Sequence, residues 1–76
     1  MRVAAIQSEL DNFILENFVN FDEYQNKFYL RKKIQELLPE KSDEEVYNAI
    51  DYANVKLKAP RNKAKYINIL VKKLKE

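Results

Sequence analysis

The chain has 76 residues, 46% of them hydrophobic, with 14 Lys/Arg against 12 Asp/Glu and no Gly, Cys or His. Such a length suits one domain with a small core, and nine aromatics (four Phe, five Tyr) argue against a disordered chain. The missing residue types exclude an imidazole base, a thiolate nucleophile, a Cys/His zinc site and every glycine-dependent phosphate or nucleophile loop.

The expectation is therefore a non-enzymatic protein with no cofactor, no metal and no small-molecule substrate. No apolar run approaches the roughly 20 residues of a membrane span, and the first residues "MRVAAIQSELDN" lack the apolar core of a signal peptide. With no cysteine either, a cytoplasmic location and no membrane partner are expected.

In chain order, a first helix is expected from Arg2 to Val19. Val3, Ile6, Leu10, Phe13 and Asn17 recur at spacings of three and four, and Ile14 widens the stripe. The segment "FVNFDEY" breaks it. Asn20 with Glu23 reads as a capping box for the second helix, with Val19 and Tyr24 at the hydrophobic-staple positions. That helix continues through Phe28, Leu30, Ile34, Leu37 and Leu38 until Pro39 stops it.

"PEKSDEEV" is the clearest punctuation. Ser42 is a good N-cap and Glu45 closes the box, while Asp43 and Glu44 suit the positive end of the helix dipole. Consecutive acids on a helical first turn point in different directions, so capping is preferred to a cation site. The third helix buries Val46, Ile50, Ala53 and Leu57. Pro60 makes Ala59 extended and fits the first turn of a fourth helix, whose apolar side carries Ala64, Ile67, Leu70, Val71 and Leu74. The fold class expected is all-α: a single-domain bundle of about four short helices, residues 1–76, with short connections.

Charge is divided unevenly along the chain. Residues 1–55 hold six Lys/Arg against eleven Asp/Glu, net −5, whereas residues 56–76 hold eight against one, net +7. Such asymmetry points to an interaction surface. Arg61, Lys65, Asn68, Lys72 and Lys75 form one helical stripe beside the apolar row, flanked by Lys58 and Lys63. The row can track phosphates, with Asn68 placed to meet a base edge. Tyr66 would stack on a base if exposed, but its ring is expected in the core with only its hydroxyl offered. A solvated face with lysine stems over apolar surface is the alternative, as is pairing with the acidic half. Arg31-Lys32-Lys33 would join the patch if the second and fourth helices were adjacent; otherwise pairing with Glu36 is the commoner role.

A second candidate surface lies in the apolar surplus at the end of the first helix. Leu15, Phe18 and Phe21, beside the acidic Glu9, Asp11 and Glu16, would serve a homodimer or a larger protein partner.

Residues 44–74, "EEVYNAIDYANVKLKAPRNKAKYINILVKKL", resemble the C-terminal helical module of DnaD-type replication proteins and of related plasmid and phage replication initiators. Ala49, Ile50 and Ala53 match an "xxAIxxA" helix, and Tyr66, Ile67, Leu70 and Val71 match a "YIxxIL" helix; Leu74 stands where the family has Trp. The resemblance implies a replication-associated module of a phage, plasmid or other mobile element. Such a module contacts DNA, often single-stranded, and binds sister replication proteins.

Overall fold

In the computed structural model the chain is an all-α bundle of four helices with one minimal strand pair. The structure describes residues 3–15 and 18–75, without the side chains of Val3, Ala4 and Phe18. The expectations placed on Arg2, Glu16, Asn17 and the Val3 and Phe18 side chains lie outside the described residues. In chain order come α1 (Val3–Phe13), β1 (Phe18–Val19), α2 (Tyr24–Leu37), α3 (Asp43–Lys56), β2 (Arg61–Asn62) and α4 (Lys63–Lys75). Helix α4 packs on α1 and α3, and α2 packs on α3 and α1, so α2 lies diagonally across from α4. Among the described residues no helix is long and apolar enough to cross a membrane.

One contiguous core fills the bundle. Ile6, Leu10 and Ile14 meet Leu30, Ile34 and Leu38, then Val46, Ala49, Ile50 and Ala53, and finally Tyr66, Ile67, Leu70, Val71 and Leu74. Each fully buried large apolar side chain contributes about 1.5–3 kcal/mol, while a chain of this length retains only about 4–11 kcal/mol of net stability. Leu57, expected in the core, is half-buried against it, and Ala64 is exposed.

The clearest local signal is realised in full. The Ser42 side chain accepts from the Glu45 N–H at 3.1 Å, and Glu45 Oε1 accepts from the Ser42 N–H at 3.2 Å. These bonds, Ser42 N–H first and the Lys41 ammonium after, hold the Glu45 carboxyl below the usual carboxylate range. The acid run thus serves the helix start, and Pro39 follows directly on the Leu38 cap of α2.

Three expectations are corrected. The first helix ends at Phe13 rather than Val19: the Lys63 ammonium donates to the Asp11 and Ile14 carbonyls at 3.3 and 3.0 Å, groups that a longer helix would have consumed. The Asn20–Glu23 capping box does not form. Glu23 is the N-cap of α2 with no side-chain bond, Asn20 Oδ1 instead accepts from the Asp22 N–H at 3.3 Å, and Tyr24 is exposed, so no staple closes. Pro60 lies in a bend, its peptide with Ala59 cis, and β2 follows before α4 begins. The side chain of Asn62 accepts from the Lys65 N–H at 3.2 Å and starts α4 instead.

The strand pair was not foreseen. Phe18 faces Asn62 and Val19 faces Arg61 in an antiparallel register. Two residues per strand are too few to show alternation in a sequence.

Candidate nucleic-acid interface

The residues that open α4 turn inward. Arg61 is only 6% exposed. Its guanidinium grips the Asp22 carboxylate with both arms, at 2.9 and 3.3 Å, and donates to the carbonyls of Leu57 at 2.6 Å and Asn54 at 3.0 Å. Four of its five N–H donors are thereby engaged. Arg61 is therefore not a phosphate ligand on an exposed stripe; it ties β2 to the entry of α2 and the end of α3. Asn54 completes that seam. Its amide donates to the Phe21 carbonyl at 3.0 Å, and its Oδ1 accepts from the Tyr66 hydroxyl at 2.7 Å. Lys63 is likewise committed, to Asp11 Oδ1 at 3.3 Å and to the end of α1.

Tyr66 is fully buried, its ring 5.5 Å from that of Phe21, as expected of a core tyrosine. Burial pushes its hydroxyl well above the ordinary phenol range.

The remainder of α4 is different. Its buried residues Tyr66, Ile67, Leu70, Val71 and Leu74 lie on one side, which by the 100° step of the helix leaves Lys65 and Lys72 pointing directly away from the core. Lys75 and Asn68 occupy the flank towards α1, where Gln7 donates to Asn68 Oδ1 at 3.4 Å. Lys75 also lines a shallow hollow with Glu40 and Lys41. Lys58 is exposed on the loop before β2. Among the described residues, Lys58, Lys65, Lys72 and Lys75 make no ion pair, whereas Lys27–Asp51, Arg31–Asp43, Lys33–Glu9 and Lys41–Glu45 bridge elements or turns elsewhere. The expected stripe is thus divided. Lys65, Asn68, Lys72 and Lys75 stay together on the surface, with Lys58 beyond the helix start, while Arg61 and Lys63 leave it for the fold.

The Arg31 cluster does not join this surface. Arg31 bonds Gln35, Asp43 and the Tyr47 hydroxyl, with its guanidinium 5.0 Å from the Phe28 ring centroid. It clamps α2 to α3, and among the described residues no cation pairs with Glu36. Lys33 reaches Glu9 on α1 at 3.6 Å.

Near the end of α1, Phe13, Ile14, Leu15, Val19, Phe21 and Tyr29, with Asn20 and Asn26, line an open groove of about 310 Å³. Leu15 is 89% exposed there, whereas Phe21 lines the groove with a ring that is only 9% exposed and belongs to the core. Phe13 and Tyr29, the latter not singled out by sequence reasoning, extend it into a second hollow bordered by Lys32, Lys33 and Glu36.

Comparison with protein-family profiles, curated proteins and solved structures yields no match to this chain.

Proposed function

We propose that this chain is a non-enzymatic helical protein that contacts nucleic acid, in the first instance DNA, as a replication accessory of a phage, plasmid or other mobile element. The observation that carries the nucleic-acid reading is the outward row of α4. Lys65 and Lys72 project from a rigid helix, Lys58 and Lys75 extend the surface, and none of the four pairs with an acid among the described residues. Four such lysines match the electrostatic footprint of a phosphate-tracking surface. The replication setting comes from the resemblance of residues 44–74 alone.

A second reading keeps the basic face solvated and assigns the work to the apolar groove at Phe13, Leu15 and Tyr29, as a homodimer contact or the seat of a larger protein. The full exposure of Leu15 beside that groove favours it.

Charge reversal separates the two. Fluorescence anisotropy with labelled oligonucleotides is expected to show binding by the natural chain that weakens log-linearly with salt. Lys65→Glu with Lys72→Glu should abolish that binding while helicity by circular dichroism is unchanged. Full binding by the doubly reversed protein would overturn the α4 reading. Self-association that survives the reversals, with no oligonucleotide binding by either protein, would favour the groove.

A further inference from the structure

Three exposed apolar side chains gather on one face of the bundle. Phe13 at the end of α1 and Tyr29 on α2 are 39% and 52% exposed, and Leu15 beside them is almost wholly so. Phe13 and Tyr29 share a hollow of about 460 Å³ with Lys32, Lys33 and Glu36, and it adjoins the groove at Leu15. The charges on this face are of both signs. Tyr29, Lys32 and Glu36 recur at spacings of three and four, so they form one exposed row on α2. The other cations of α2 are committed within the fold: Lys27 to Asp51, Arg31 to Asp43 and Lys33 to Glu9. Lys32 and Glu36 stand one turn apart, yet among the described residues neither makes an ion pair. The Lys32 ammonium lies instead 5.7 Å from the Phe28 ring centroid.

We propose that this face binds a second copy of the chain about a two-fold axis, α2 antiparallel to α2, with Lys32 of each copy paired to Glu36 of the other. This rests on the groove reading and deepens it by naming the partner. A two-fold contact presents the same patch from both sides, so the patch must complement itself. Two α2 helices crossing at the level of Ile34 meet that condition. Residue 32 of one copy then faces residue 36 of the other, twice over, and the two Phe13 hollows close on each other beside the axis. The 14 residues of α2 span about 21 Å. A contact of that length buries on the order of 1,000 Å² in total, the low end of specific interfaces, which suits micromolar rather than nanomolar affinity. Other faces do not complement themselves. The outward side of α4 carries Lys65 and Lys72, so two copies would repel there. On α3, Tyr52 has the Lys73 ammonium 4.9 Å from its ring centroid, and the adjacent Asp51 is already paired to Lys27. Tyr24 lies on the side of α2 that faces α3, in line with Lys27 and Arg31. Because α2 is diagonally across from α4, the dimer leaves the basic rows of both copies uncovered.

Sedimentation velocity over a series from low micromolar to submillimolar protein tests the contact. The natural chain is expected to pass from monomer to dimer within the series. Lys32→Glu and Glu36→Lys each set like charges across the axis and should each weaken dimerisation by about tenfold or more. An equimolar mixture of the two variants should recover it as a heterodimer, because every pair across the axis is then opposite in sign. Both positions are exposed, and circular dichroism checks that the variants keep their helicity. A dimer that persists in both charge variants but dissociates in Leu15→Ser overturns the α2 axis and leaves the groove contact standing. A mixture no more associated than either variant alone overturns the Lys32–Glu36 pairing. A dimer indifferent to all three substitutions overturns both the axis and the groove. A chain that stays monomeric throughout the series overturns the second copy as partner and leaves the groove to a different protein.

Discussion

Arg61 and Lys72 belong to the same basic run of sequence and meet opposite fates. Arg61 is buried, forked onto Asp22 and bonded to two carbonyls; Lys72 faces away from the core and pairs with no acid among the described residues. The difference is one of geometry rather than charge. Arg61 sits in β2, against Val19 of β1, where the chain crosses the mouth of the bundle and leaves the carbonyls of Asn54 and Leu57 to be satisfied. A planar five-donor group suits that position, and a lysine would not. Lys72 sits in the last turn of α4 on the side away from the core, where its ammonium can face solvent or a ligand. A cluster of like charges in a sequence therefore mixes staples with surface, and only the staples should matter for stability.

The largest expected effect tests that division directly. Arg61→Met should cost about 2–3 kcal/mol of unfolding free energy, because it leaves two carbonyls and a carboxylate without their charged donor. The loss stays below that of a fully buried pair because Asp22 keeps contact with water. Urea denaturation provides the measurement, and Lys72→Met should change the same midpoint by less than about 0.5 kcal/mol. Equal losses would dissolve the comparison.

Next is Tyr66→Phe, which removes the hydroxyl that Asn54 accepts from and should cost about 1–2 kcal/mol. It also sharpens the comparison through pH. The folded chain holds the Tyr66 proton above the ordinary phenol value, so this contribution is complete below about pH 10 and declines as pH rises beyond it. Alkaline stability profiles should show the decline in the natural protein and a flatter limb in the Phe variant.

The smallest effect belongs to the start of α3, away from both cations. Ser42→Ala should cost about 1 kcal/mol. The Glu45 carboxyl is held below its ordinary range, so its stabilisation is present above about pH 4–5 and is lost as pH falls through the lower folded value. Glu45→Gln should flatten that acid limb in thermal melts recorded across the acid range.

How much was legible in the sequence follows the range of each interaction. The Ser42–Glu45 cap, the stop at Pro39 and the apolar rows of α3 and α4 rest on residues within four positions of one another, and all are present except Leu57, half-buried, and Ala64, exposed. The candidate site was half legible: the spacing of Lys65, Lys72 and Lys75 puts them on the outward side of α4, and Tyr66 takes the core position expected of it. Arg61 and Lys63 fit the same rhythm and were misread, because their partners Asp22 and Asp11 lie far away in the chain.

By itself, then, the sequence determined the four helices, most of the core and the concentration of positive charge near its end, since local periodicity and capping carry that information. Tertiary structure alone decided where the first helix stops, that β1 meets β2, which cations are staples and which remain at the surface. Those outcomes depend on carbonyls and carboxylates brought together from opposite ends of the chain, and no local pattern encodes such a meeting.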